Sequence, residues 1–243
     1  MKLQRSILLS SLAGLLLFSS ALSADPVVGA GTFNIQGSVL GTTNGLQFFS
    51  STVGDHIGFI ALPTSGVFGS LTPASGPQKI GDLLVSDGVI PGTMFDVKNW
   101  IVLTDGINLD ATNIPIGPQP VCGGSIESDC RPNAASPIVL TQTFNTITGK
   151  PNGVSAAFNV NGVAHFAGST ADTPYIGQLS ASDTQFLTVA ALVAYYNAHG
   201  GVGTVSYTGE FTTTTAVPEP SALALIGGGL LALGFLRKRH YNN

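Results

Sequence analysis

Hydrophobic and polar residues alternate at period two along several stretches of the chain. In Thr32 to Val39, Phe33, Ile35 and Val39 alternate with Asn34, Gln36 and Ser38, the pattern of a strand with one face on a core. Val205, Tyr207 and Phe211 alternate with Ser206, Thr208 and Glu210 in the same way. Shorter runs at Ile57 to Leu62, Lys79 to Val85, Phe95 to Leu103 and Ile138 to Phe144 are separated by Gly and Pro turns. Val154 to Val160 and Val163 to Ala167 flank Asn161-Gly162, the favoured pair for a two-residue type I′ turn, which predicts a hairpin there. The expected fold is mainly β, an antiparallel sandwich or barrel.

One segment has the helical period instead. Ser182-Asp183-Thr184-Gln185 has the form of a capping box, with Ser182 as N-cap and Gln185 returning to its N–H. Phe186, Val189, Ala190, Val193 and Tyr196 then recur at helical spacing until Gly200-Gly201. This predicts one amphipathic helix over about 183–198, lying on an open edge or end of the sheet, with its apolar stripe spent on packing.

The two ends follow neither pattern. Lys2 and Arg5 precede an apolar stretch from Ile7 to Phe18, and small residues follow through Ser19-Ser20-Ala21-Leu22-Ser23-Ala24. This is the form of a signal peptide, residues 1–24, with cleavage at Ser23 or Ala24. At the other end Val217-Pro218-Glu219-Pro220-Ser221 is followed by apolar residues from Ala222 to Leu236 and then Arg237-Lys238-Arg239. At about 1.5 Å per residue that run reaches roughly 22 Å, short of a hydrocarbon core of about 30 Å, so it suits a transient anchor better than a permanent one. The basic cluster places its own side in the cytoplasm and the body on the far side. Pro218 and Pro220 fix φ, lack N–H groups and hold their neighbours extended, presenting a stiff peptide to a processing enzyme.

This tripartite tail resembles the PEP-CTERM sorting signal of Gram-negative bacteria. The resemblance implies recognition through Val217, Pro218, Glu219 and Pro220, with Arg237, Lys238 and Arg239 as the cytoplasmic stop. It implies an exosortase-type membrane enzyme as partner beside signal peptidase, a transient stay in the inner membrane, and delivery to the cell surface or extracellular matrix. The opening Phe-Asn-Ile-x-Gly and closing Ser-Tyr-Thr-Gly-x-Phe strands are similar to those of secreted PEP-CTERM proteins, a likeness that carries no activity with it.

With the ends removed, residues 25–216 form one expected β-rich extracytoplasmic domain. Composition sharpens what it does. Only 9% of the chain is charged, against about 25% in a typical soluble domain. The body holds four strong bases, Lys79, Lys98, Arg131 and Lys150, against twelve acids, a net charge of −8. That balance disfavours nucleic acid and anionic membranes and is compatible with divalent cations, while the low charge and Ser/Thr-rich strands suit a protein embedded in hydrated polymer, with extracellular polysaccharide as a partner class.

Candidate chemistry is sparse. Cys122 and Cys130 are the only cysteines, and an exported pair in a Gly-containing loop reads as a disulfide. Asp105, Asn108 and Asp110 place three oxygen ligands close together and are weak calcium candidates; they do not follow the EF-hand order, and Ile107, Leu109 and Ala111 alternate so that Asp110 would face solvent. Glu127 and Asp129 form a second small acidic group. No nucleophile elbow, zinc-helix motif, phosphate loop or dinucleotide fingerprint occurs. His56, His165 and His199 are scattered, and Glu127 with Glu210 would serve as a glycosidase pair only if folding brought them together. The expectation is therefore a non-catalytic exported protein without a cofactor. The alternative is a carbohydrate-binding module using Trp100, Phe48-Phe49 or Tyr195-Tyr196 as aromatic platforms, residues that otherwise serve as core.

Overall fold

A computed structural model describes residues 27–49, 59–72, 77–123 and 128–214. The signal peptide and the sorting tail lie outside the described residues, as do Asp55, His56 and Glu127. Among the described residues no helix is long and apolar enough to cross a membrane.

Eleven antiparallel strands form one sheet: β1 (Gly31–Thr42), β2 (Gly45–Phe49), β3 (Phe59–Gly66), β4 (Pro77–Ile80), β5 (Leu83–Leu84), β6 (Met94–Leu103), β7 (Ile107–Asn113), β8 (Val139–Phe144), β9 (Pro151–Phe166), β10 (Thr173–Asp183) and β11 (Gly201–Thr213). The order is β4-β6-β7-β9-β10-β11-β1-β2-β5, with β3 beside β1 and β8 beside β9. The expected alternation sets β1 and β11: Phe33, Ile35, Tyr207 and Phe211 are buried, and their polar neighbours face out. The arrangement is a single curled sheet, a half-barrel, rather than two stacked sheets.

The curl is held where the two ends of the sheet meet. The run expected from Lys79 to Val85 is interrupted at Gly81-Asp82, which steps from β4 to β5. Gly81 exchanges two hydrogen bonds with Trp100: its N–H donates to the Trp100 carbonyl (2.7 Å) and its carbonyl accepts from the indole Nε1 (2.8 Å). Asp82 Oδ1 accepts the Phe48 N–H of β2 at 2.9 Å. Two residues thus tie β6 to β2 across the mouth of the curl.

The inner face carries the core. Phe33 stacks on Phe211 with centroids 5.0 Å apart, and Trp100 and Tyr175 tilt against the same ring at 5.7 and 5.9 Å. Room for these rings comes from glycines directly across the strand pairing. Tyr207 lies over Gly37, Phe211 over Gly177, and Tyr175 over Gly162. A methyl at Gly177 would sit 2.5 Å from Phe211 Cε1.

Two sequence expectations are corrected here. The hairpin at Asn161-Gly162 does not exist: β9 runs straight through it for 16 residues, paired with β10 from Val154 to Ala164, and neither residue adopts the positive φ that a type I′ turn requires. Gly162 is small because the Tyr175 ring and the Asp110 carbonyl crowd it. The helix, α1 (Val189–His199), also begins about six residues late. Pairing of β10 with β9 continues to Asp183, which keeps Ser182 in an extended strand and unable to cap. Thr188 is the N-cap, its hydroxyl accepting the Ala191 N–H (3.2 Å), and Gly200 closes the helix at φ 70° as anticipated.

Gln142 of β8 fixes where α1 starts. Its Oε1 accepts the Val189 N–H (3.1 Å), while Nε2 donates to the carbonyls of Gly153 (2.8 Å) and Leu187 (2.7 Å). Val189 and Leu192 then pack on Leu140, Val154 and Cys130 in a second, smaller core. Replacing Gln142 by Leu keeps the volume and strands one donor and two acceptors in a buried site. We expect a loss of about 2 kcal/mol, with hydrogen-exchange protection falling first in α1. Unchanged protection there would show that the helix is seated by its apolar contacts alone.

Candidate functional site

Among the described residues, the densest charged cluster lies on the outer face of β6, β7 and β9. Asp110 faces outward from β7 as its period dictates, yet it is only 2% exposed, which corrects the expectation of a solvent-facing carboxylate. It is covered because β6 bulges over it. The β6–β7 register shifts between Val97 and Ile101, and Asn99 takes a left-handed φ of 50° within the bulge. The Asn99 N–H donates to Asp110 Oδ1 (2.7 Å), Lys98 Nζ reaches Oδ2 (2.8 Å), and His165 Nε2 lies 3.4 Å from Oδ1. Asp96 shares the ammonium at 3.1 Å.

These contacts set the charge states. Burial pushes the Asp110 carboxyl up, but the Lys98 ammonium, the Asn99 N–H and His165 more than offset it and hold the group below the ordinary range. Hydrogen bonds to Asp110 and Asp96 push the Lys98 ammonium well above its ordinary value. In these states Lys98 carries its proton and Asp110 does not, and the contacts of Lys98 and Asn99 with Asp110 seat the β6 bulge.

The three calcium candidates sit in different settings. Asp110 is committed to Lys98, Asn99 and His165; Asn108 sits between Val102 and His165 in the strand register; and Asp105 lies in the β6–β7 turn, where Oδ1 accepts the Ile107 N–H (3.1 Å). Burial raises the Asp105 carboxyl, against the hydrogen bond from Ile107, and its Oδ2 is buried without a partner. Among the described residues no group of three or more His, Cys, Asp or Glu is placed to hold a metal ion.

Cys122 and Cys130 are joined in a disulfide, their Cα atoms 4.9 Å apart. Cys130 exchanges backbone hydrogen bonds with Leu140 (3.1 and 2.7 Å), so the bridge fastens its loop to β8. In the chain-entropy view so short a loop contributes about 2–3 kcal/mol.

Two of the aromatic platform candidates turn inward. Trp100 and Phe48 are buried in the core and meet edge to face at 5.9 Å. Tyr196 is half-buried beside an apolar space of about 120 Å³ between α1 and the sheet. Among the candidates whose burial is described, Tyr195 alone is exposed, and it is already stacked on His199 at 4.0 Å and against Phe186 at 4.9 Å. His199 thus ends α1, where positive charge is favoured, with Nδ1 2.9 Å from the Tyr195 carbonyl.

What the sequence reading passed over is the outer face of the central strands. Registers align hydroxyl and amide side chains across it in rows: Asn34, Glu210, Gln178 and Asn159 in one, and Gln36, Thr208 and Ser180 in the next. Ser38 and Ser206 pair in a third. Glu210, the glycosidase candidate, stands in the first row with amides on both sides, and is the only charge in the three rows. The signal was present as the polar half of β1 and β11; β10, which completes the rows, escaped because Gly177 and serines dilute its alternation.

Residues 216–239 match the family model of the PEP-CTERM protein-sorting motif. No curated protein and no solved structure matches the chain. The motif implies export and exosortase-dependent sorting to the cell surface. The chain thus carries, behind its β-rich body, a PEP-CTERM protein-sorting motif.

Proposed function

We propose that the body is a non-catalytic component of the cell surface or extracellular matrix, freed from the inner membrane when an exosortase-type enzyme removes the tail. The motif at residues 216–239 carries this reading. The broad hydroxyl and amide face, in a body of net charge −8, supports residence in hydrated polymer. The ordered ion pairs at Asp110, with both partners held in their charged forms, support a structural rather than a catalytic role for that cluster.

The test is the intact mass of the native protein in medium and membrane fractions. We expect a chain beginning near Asp25 and ending near Pro218, found outside the inner membrane. Replacing Pro218, Glu219 and Pro220 by Ala is expected to leave the full tail in place and the protein in the inner membrane. A wild-type mass that retains Arg237 to Asn243, found only in that membrane, would make the protein tail-anchored and overturn the matrix reading. Turnover of a glycoside or ester panel, lost in Glu210→Gln, would overturn the non-catalytic one.

A further inference from the structure

The rows on the outer face are not flat. Between β10, β11 and β1 they border a trough of about 460 Å³, within the usual size range of ligand sites. Six polar side chains line it: Gln36, Ser38, Ser180, Ser182, Ser206 and Thr208; Gly37 and the buried Tyr207 complete the lining. We propose that this trough binds an uncharged polysaccharide chain. The proposal rests on the matrix reading above and names the ligand class it would meet there.

The lining decides among occupants. No Lys or Arg faces the trough, which removes the contacts a nucleic acid or polyanion requires, and the acidic body repels both. No carboxylate lines it, so a cation lacks its oxygen set. It offers neither an exposed aromatic nor an Arg to anchor a protein partner. What remains is a dense array of groups that both donate and accept: each hydroxyl has one proton and two lone pairs, and Gln36 has two of each. A sugar ring presents the same mixed pattern on its rim. The β1–β11 and β10–β11 registers fix where each side chain leaves the sheet, and Ser180 Oγ and Thr208 Oγ1 already share a hydrogen bond at 3.0 Å. Binding there costs little ordering of the protein.

The experiment is affinity electrophoresis of the exported protein, purified from the producing cells, in gels containing a neutral β-glucan, a mannan, a dextran or acidic alginate. We expect retardation by at least one neutral polymer and none by alginate. The double variant Ser206→Val, Thr208→Val removes two hydroxyls while keeping strand-favouring side chains, and should raise the half-retarding polymer concentration about tenfold. Gln36→Ala serves as the milder second variant, removing one exposed amide. No retardation in any neutral gel, equal retardation by alginate, or retardation unchanged in both variants would overturn the proposal. So would a concentration-dependent dimer that the double variant abolishes, since the face would then join two copies of this chain. Protein recovered from the matrix but not retarded sinks the trough and leaves the matrix reading standing; protein confined to the inner membrane sinks the reading itself.

Discussion

Gly162→Ala should destabilise the body by about 3 kcal/mol or more, lowering its Tm by roughly 6–12 °C, although it adds one methyl group to a strand. The new Cβ would press on the Asp110 carbonyl and lie 2.5 Å from Tyr175 Cε1. Neither obstacle yields cheaply. The carbonyl belongs to the β7–β9 ladder, and Tyr175 is 2% exposed and packed on Phe211. The matched control is Gly203→Ala on β11, where nothing lies within 4 Å of the added carbon; this should change stability by less than about 0.5 kcal/mol. Thermal unfolding of the pair decides the matter. If the two variants melt together, close packing over Gly162 is not what the glycine provides.

The same position shows why the sequence was only partly legible. Strands with large inward residues and polar outward ones, such as β1 and β11, could be read from alternation alone. Asn161-Gly162 could not, because the two reasons for a glycine, positive φ and close approach, look identical in sequence. Only the partner strand, which brings Tyr175 across, tells them apart. The helix start failed for a similar reason: Ser182 has good capping chemistry, but pairing to β9 claimed it first. Asp110 followed the period and faced outward, yet a bulge twelve residues upstream in the chain covered it. Trp100 could be named as core or platform, and the indole bond to Gly81 settles it as core. The sorting motif at residues 216–239 needed none of this, since its information is linear.

Lys98→Met should be the second large effect, about 3 kcal/mol at neutral pH, even though its ammonium end is mostly in solvent. The asymmetry lies in burial: Lys98 is 61% exposed and Asp110 2%. Removing the carboxylate leaves a solvated ammonium, whereas removing the ammonium leaves a buried anion short of its cation. Asp110→Asn should therefore cost less, about 1–2 kcal/mol, since the amide oxygen still accepts the Asn99 N–H. The pH profiles give the signs. Asp110 is held below its unfolded value of about 3.9, so its stabilisation is present above that pH and is lost as pH falls through the folded value. Lys98 is held above its unfolded value of about 10.4, so its share is present below that pH and is lost as pH rises through the folded value. In Lys98→Met burial acts on Asp110 with less opposition, its pKa rises, and the deficit against wild type should shrink as the medium is acidified. Urea titrations from pH 3 to pH 8 report this directly, and a deficit independent of pH would show that the loss is one of packing by the lysine stem.

The pairing of β1 with β11 joins residues 159 to 182 positions apart in the middle of the sheet, with the Thr213 hydroxyl reaching back to the carbonyls of Gly29 (2.7 Å) and Gly31 (3.3 Å). Both termini of the body therefore leave from one corner. At a synthesis rate of about 5–20 residues per second, β1 exists for roughly 10–35 s before the strand that completes it. Such long-range closure is slow and leaves an open edge in the meantime. The sheet is sealed at its centre, and last, by the segment that leads into the sorting tail. Folding of this body is in that sense a timer: the sheet cannot close until the chain has emerged through Thr213, three residues before the matched motif begins.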